Sequence, residues 1–325
     1  MTVINGDNIR KAITMAEVVD IVEGAFAALS DGTAHVPNRI QIEVPDHNGT
    51  TLFMPGFLKT KNEMAIKVVS VYPDNPKRGM PSINALVMVM DTETGTVKAI
   101  IDGTVLTGMR TGAAGGVGTR LLARQNAETL AIFGAGIQGR YQFEATLAVR
   151  DIREVRVYDP IREASERFVS DLKQQTQTRI TVASSPSEAI HNSDIICTTT
   201  TSDKPVFDDA DVAPGTHINA VGIYKPHMHE IPPETVARAR IAVDSREACL
   251  EEAGDLLIPV AMGLRPKNET WTEIGEISNG SKTGRESDTE ITLFKTVGVS
   301  VQDVMAAAAV YKNATDRGIG QTIDL

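Results

Sequence analysis

The segment that most restricts the fold is Gly134-Ala135-Gly136-Ile137-Gln138-Gly139. An apolar, β-rich run, Thr129–Phe133, feeds straight into it, and a helical pattern over Gln138–Val149 leaves it. Strand, glycine turn and helix in this order form half of a βαβ unit, and the glycine spacing gives each residue a task. Gly134 permits the tight turn, Gly136 lets a phosphate approach the backbone, and Gly139 lets the helix lie against the strand. The first turn of that helix offers N–H groups and partial positive charge to an anion. Asp159 ends the next strand, Glu154–Tyr158, 20 residues beyond Gly139, where an acid meets the ribose hydroxyls of a dinucleotide. A carboxylate there repels a 2′-phosphate, so the expected cofactor is NAD(H) in preference to NADP(H). Asp159 also suits the N-cap of the helix after Pro160.

The rest of the chain divides by texture. Thr14-Met15-Ala16-Glu17 has capping-box spacing and opens a helix that stops near Gly32. Short β-rich runs follow at 41–44, 51–54, 65–71, 84–90 and 97–101, separated by turn signals, and predict a largely antiparallel sheet. From Thr104 to Arg124 five glycines sit in a pattern that still keeps Leu106, Met109, Ala113, Val117 and Leu121 at helical spacing. We read a helix with one bare, closely packed face. Beyond Arg124, strands at 129–133, 154–158, 179–182, 194–198, 217–221 and 240–243 alternate with helices at 138–149, 161–174 and one opening at Ser185, which predicts βαβ units and a parallel sheet. An alanine-rich helix, Ser300–Arg317, closes the chain. The predicted fold class is α/β. A Rossmann-type, doubly wound domain at 116–299 accompanies a second, α+β domain built from 1–115 and 300–325. Strand ends line the ligand crevice of an open α/β sheet. Thr199 and Thr200 after one strand, and Asn219, Val221 and Gly222 after another, are therefore candidate cofactor contacts.

Lys and Arg number 32 against 42 Asp and Glu, a net charge of −10. That argues against nucleic acid or an anionic membrane surface as the main partner. The two cysteines, Cys197 and Cys249, form no CxxC pair. No apolar run approaches the roughly 18 residues of a membrane span, and no signal peptide is read at the N-terminus, so the expected location is the cytoplasm. His227-x-His229 follows a proline and has no third ligand in view; it reads as a pair of solvated loop histidines, and no metal is expected. Arg39, Lys67 and Arg110 stand in apolar or glycine-rich surroundings. Such charges are seldom buried unless paired. They are either salt-bridged or surface residues, or a binding site for a carboxylate.

The chain resembles the ornithine cyclodeaminase/μ-crystallin family. The resemblance rests on Val36-Pro37-Asn38-Arg39, Ala65-Ile66-Lys67-Val68-Val69, Leu106-Thr107-Gly108-Met109-Arg110-Thr111-Gly112-Ala113, the 134–139 turn, Asn219-Ala220-Val221-Gly222, the run from Ile291 to Gly298, and Gln302-Asp303. That family includes cyclodeaminases of ornithine or lysine, archaeal alanine dehydrogenases, ketimine and pyrroline-2-carboxylate reductases, and a hormone-binding crystallin. The resemblance implies a homodimer formed through the N-terminal domain, with the substrate in the cleft between domains. It implies that Arg39, Lys67 and Arg110 bind the substrate carboxylate, and it adds Thr111, Ile137, Gln138 and Gly298 to the cofactor contacts. One departure matters. The cyclodeaminase branch places a catalytic Asp shortly after its Asn-Ala-Val-Gly; here Tyr224 stands in that place, which counts against ornithine cyclisation. The expected function is NAD(P)H-dependent reduction of an imine next to a carboxylate, on an amino, imino or 2-oxo acid, with Lys67, Arg110 and Tyr224 as catalytic candidates. The alternatives are an ammonia-lyase of the cyclodeaminase type and a low-turnover ligand-binding protein.

Overall fold

The computed structural model describes residues 1–324. The chain opens with β1 (Thr2–Ile4), α1 (Gly6–Ala12), α2 (Met15–Ser30) and β2 (Ala34–His35). A run of strands follows: β3 (Ile40–Val44), β4 (Gly49–Leu58), β5 (Glu63–Val71), β6 (Ile83–Met90) and β7 (Val97–Asp102), and then the long α3 (Gly103–Leu122). Alternation begins with β8 (Thr129–Phe133), α4 (Ile137–Val149), β9 (Glu154–Tyr158), α5 (Arg162–Leu172), β10 (Arg179–Val182), α6 (Pro186–Ile190), β11 (Ile195–Thr198) and β12 (His217–Ala220). After it come α7 (Pro233–Arg238), β13 (Arg240–Val243), α8 (Arg246–Glu252), α9 (Gly254–Ala261), β14 (Thr272–Glu273), α10 (Ile274–Ser278), β15 (Thr292–Lys295), α11 (Ser300–Asp316) and β16 (Gln321–Thr322).

Two compact units result, Met1–Arg110 with Val299–Leu325, and Thr111–Gly298. The division falls inside α3 at Arg110, ahead of the expected 115/116, for a steric reason. A Cβ on Gly112 would lie 2.6 Å from the Tyr141 carbonyl oxygen, and one on Gly118 would lie 2.6 Å from Asn219 Oδ1 and Phe294 Cδ1. The bare face therefore belongs to the second unit.

In the first unit the sheet runs β16-β1-β7-β6-β5-β4-β2, with β3 also on β4. It is antiparallel except for β1 beside β7. Side chains of β5 alternate as expected, burying Ala65, Lys67 and Val69 on one face. Helix α11 packs across β4, β5 and β6 and against α2. Gly56 allows that approach, since a Cβ there would meet Val304 Cγ2 at 2.8 Å. Strand β4 runs beyond the expected 51–54 and passes through Pro55. The Pro55 carbonyl accepts from Ser300 Oγ at 2.7 Å, and Pro55 falls between the stretches of β4 that pair with β3 and with β2, while β5 pairs along the strand on its other side. Strands β1 and β16 were not expected; two or three residues carry no readable period.

In the second unit eight strands pair in the order β10-β9-β8-β11-β12-β15-β13-β14, every pairing parallel. The chain leaves β8 in one direction to β9 and β10, then returns to β11 and β12 on the other side. The switch point lies between β8 and β11, where an open α/β sheet forms its ligand crevice. Strand β15 was not anticipated. It enters between β12 and β13 after an excursion through α8, α9, β14 and α10, so sequence order does not announce its neighbours.

Candidate active site

The glycine turn lies at the switch point, at the carboxyl end of β8. Gly134 has φ +94°, and its N–H donates to the Tyr158 carbonyl at 3.0 Å. A Cβ on Gly139 would strike the Gly134 carbonyl oxygen and lie 3.3 Å from Ile132 Cγ2, so helix and strand are in contact there. Gly136 behaves differently. Its backbone is extended, a Cβ would meet nothing within 4 Å, and it caps α4 without a side-chain hydrogen bond. The first-turn N–H groups therefore face open space across a residue with no side chain, and Ile137 beside it is exposed. Gln138 holds Oε1 buried with no partner. The arrangement fits a dinucleotide pyrophosphate.

Asp159 accepts from Ala135 N–H through Oδ2 and from Ile161 N–H through Oδ1, each at 2.9 Å. It does not cap α5, whose N-cap is Ile161. It ties β9 to the glycine turn, and a carboxylate with two bonds retains lone pairs for two hydroxyls. Arg162, which could offset its charge, is paired with Glu166 at 2.8 Å.

The strand-end candidates separate. Thr199 braces the turn, donating from Oγ1 towards the Phe133 and Gly134 carbonyls at 2.9 and 3.0 Å. The Thr200 and Gly222 N–H groups both donate to the Glu230 carboxylate, at 2.6 and 2.9 Å, and Val221 N–H reaches the Thr198 carbonyl. Asn219 is fully buried, and its amide serves Thr119, Cys197 and His217, so its side chain supports α3 from beneath. The Thr111 carbonyl accepts from Gln142, and Gly298, at φ +83°, donates to Asp244 Oδ2 at 2.7 Å. Tyr224 lies in the irregular stretch after β12 and is 40% exposed. His227 is exposed, but His229 is half-buried with Nδ1 unpartnered, so only the first is a solvated loop histidine.

A buried charge network holds these loops and was not foreseen. Lys295 Nζ contacts Asp255 Oδ2 at 2.7 Å and donates to the Ile223 carbonyl at 2.6 Å. Asp255 Oδ1 accepts from the Glu230 and Ile231 N–H groups, and Glu230 returns to Thr200 and Gly222. Burial, then the Asp255 charge, pushes the Glu230 carboxyl up to about 7. The stretch that carries Tyr224 is thus fastened at both ends. One signal was available: Lys295 closes an apolar strand much as Lys67 interrupts one.

The first unit brings Lys67 and Arg110 together on Asp303, in the first turn of α11, a residue of the Gln302-Asp303 motif to which the sequence reading gave no place in the site. Lys67 Nζ lies 2.7 Å from Oδ2 and Arg110 Nε 3.0 Å from Oδ1. Lys67 and Asp303 are each 1% exposed, and Arg110 is also buried. Burial, then the Arg110 charge, pulls the Lys67 ammonium down to about 8 against the attraction of Asp303; Arg39 adds to the repulsion. Burial alone would raise the Asp303 carboxyl, but Arg110 and Lys67 outweigh it and hold it below the usual carboxylate range. Two cations share one carboxylate, so the carboxylate stays charged and the lysine yields. The remaining Lys67 donors and Arg110 Nη2 find no acceptor among the described residues.

A dinucleotide-binding Rossmann-type unit, joined in one chain to a unit that carries a buried basic cluster, defines the class. Residues 2–318 match the ornithine cyclodeaminase/mu-crystallin family model, and the chain belongs to that family, as its motifs implied. It is 40% identical to the Delta(1)-pyrroline-2-carboxylate reductase of Bacillus cereus over 325 residues, all of both chains. The solved structure of Thermococcus litoralis Delta(1)-pyrroline-2-carboxylate reductase, in complex with NADH and L-proline, matches with a TM-score of 0.96 at 40% identity, covering 99% of this chain and 100% of that one. An archaeal alanine dehydrogenase dimer with bound NAD matches with a TM-score of 0.93 at 35% identity, over 100% and 99%.

Proposed function

We propose that this protein is an NADH-dependent reductase of small imines that carry an adjacent carboxylate, with Δ1-pyrroline-2-carboxylate as its substrate and L-proline as product. The observation that carries the reading is the buried excess of positive charge at Lys67 and Arg110 over Asp303. Uncompensated buried charge is unfavourable, and a substrate carboxylate relieves it. Arg110 has Nη2 to offer it, and Arg39 strengthens the local field. The names of the Bacillus and Thermococcus relatives support the choice of substrate.

Reduction of the C=N bond adds a hydride to carbon and a proton to nitrogen. NADH, when bound, would supply the hydride; Gly134, Gly136, Gly139 and the first turn of α4 would hold its pyrophosphate, and Asp159 its ribose. Lys67 holds the proton at Nζ, and a value of about 8 lets it give that proton up near neutral pH. Thr199 and the Glu230-fastened loops position the strand ends. Tyr224 is exposed enough to reach a ligand and is a candidate assistant. No helix among the described residues is long and apolar enough to cross a membrane. Both cysteines are free and buried, in keeping with a reducing, cytoplasmic setting. Exposed Ile40, Ile42, Ile83 and Leu86 on the first unit's sheet support a homodimer, as does the dimeric alanine dehydrogenase.

NADH oxidation followed at 340 nm with Δ1-pyrroline-2-carboxylate, and with pyruvate plus ammonia, tests the reading. We expect turnover on the cyclic imine to exceed that on pyruvate, and no proline from ornithine because Tyr224 stands where cyclodeaminases have Asp. Ammonia and proline released from ornithine with only catalytic NAD would overturn it.

A further inference from the structure

Gln302 lies in the first turn of α11, and its two hydrogen bonds identify its atoms. Oε1 accepts from Val299 N–H at 3.0 Å and from Arg110 Nη1 at 3.2 Å. Both partners are donors with nothing to accept, so the amide has one permitted orientation. Nε2 is then a donor; it is buried and has no hydrogen-bond partner, in a side chain that is wholly inaccessible. Buried donors nearly always find an acceptor, so this one calls for an explanation. The neighbouring carboxylate does not supply it: the Asp303 oxygens bond Lys67 and Arg110, and neither bonds Gln302 Nε2. Lys67 and Arg110 meet on Asp303, Arg110 also bonds Gln302, and each of the three side chains keeps a donor with no acceptor among the described residues.

We propose that Gln302 is a substrate-binding residue, its Nε2 donating a hydrogen bond to the carboxylate of the imino acid that Lys67 and Arg110 attract. The inference rests on the function proposed above and adds a residue to its site. A neutral donor has a particular use here. Another cation would add to the repulsion between Lys67 and Arg110, whereas an amide binds an oxygen without adding charge. Val299 N–H and Arg110 hold the amide in place before the ligand arrives, so little side-chain freedom is lost on binding.

Gln302→Glu tests the assignment because it keeps the oxygen that faces Val299 and Arg110 and exchanges only the donor for a second carboxylate oxygen. L-proline and L-prolinamide are titrated into the protein–NADH complex, read by NADH fluorescence, alongside NADH affinity and Tm. The variant should be more stable, since a new carboxylate answers the two cations. It should bind NADH as the wild type does, bind L-proline more than about tenfold more weakly, and lose far less for L-prolinamide, whose amide can donate to Glu. Lower stability with parallel losses for both ligands would mark a structural role and overturn the proposal. Should Gln302→Glu not fold, Gln302→Met removes the donor without adding charge, and the same loss for L-proline is expected with NADH binding intact. Wild-type affinity for L-proline in the variants refutes the role of Gln302 alone. A wild type that neither binds L-proline nor reduces the cyclic imine refutes the proposed function itself, and this assignment with it.

Discussion

Replacing Asp303 with Asn should shift the pH profile of the reaction without changing its substrate. Among the described residues the Asp303 carboxylate is the one anion in contact with both Lys67 and Arg110, and it opposes the burial and repulsion that draw Lys67 down to about 8. An opposite charge in contact changes a neighbour's pKa by roughly 1–3 pH units, so its loss should bring Lys67 to between about 5 and 7. The charged lysine is the working form, so wild-type kcat/KM holds below pH 8 and falls as pH rises through it. In the variant the fall should begin roughly 1–3 units lower. At pH 8 about half the wild-type lysines are charged, against roughly a tenth to a thousandth in Asp303→Asn. Asn retains one acceptor oxygen, so the loss of stability should stay below the roughly 3–5 kcal/mol of a broken buried pair. The assay is kcat/KM for Δ1-pyrroline-2-carboxylate between pH 5.5 and 9.5, with Tm measured in the same buffers. Ionisation of the substrate affects both proteins equally and cancels in the ratio. A variant that keeps the wild-type midpoint and most of its kcat/KM would show that Asp303 does not keep Lys67 charged.

Gly136→Val should abolish NADH binding with Tm nearly unchanged, because its side chain enters open space beside the α4 N-terminus, whereas Gly139→Val should lower Tm sharply by striking the Gly134 carbonyl; equal melting losses would contradict this. Asp159→Ser should raise the NADPH-to-NADH affinity ratio by relieving repulsion of a 2′-phosphate, and fluorescence titration giving an unchanged ratio would remove Asp159 from cofactor choice. His217 is pulled down to about 3, chiefly by burial, and bonds Thr292 and Asn219 in its neutral form. Its folded value lies below the unfolded one near 6.5, so its contribution is complete above pH 6.5 and is lost as pH falls towards 3, by up to ~5 kcal/mol. Denaturant titrations should show a gentler acid decline in His217→Gln than in the wild type; parallel slopes would exclude His217 as a source.

The local pieces were legible because their signals are local. The glycine turn with its flanking strand and helix needs only adjacent residues, and the Thr14–Glu17 capping box forms as spaced, Thr14 N–H donating to Glu17 Oε2 at 2.7 Å. The bare face of α3 was readable for the same reason. Lys67 and Arg110 stood out because a charge in an apolar or glycine-rich setting conflicts with its surroundings, and that conflict is visible in one dimension.

What the sequence determined by itself was therefore the period of each long element, the phosphate turn, and the presence of cations that had to be answered. Tertiary structure alone decided what answers them. Asp303 reaches Lys67 across 236 positions of chain and Arg110 across 193, because α11 returns to lie over β5. Lys295 finds Asp255 across 40 positions because β15 enters the sheet between β12 and β13. Asn219, read as a strand-end contact, was drawn beneath α3 to Thr119, 100 positions away. A hydrogen-bond partner or counter-charge at such separations leaves no periodic trace, because the energy that selects it exists only after the chain has closed the loop between the two and removed the water around them.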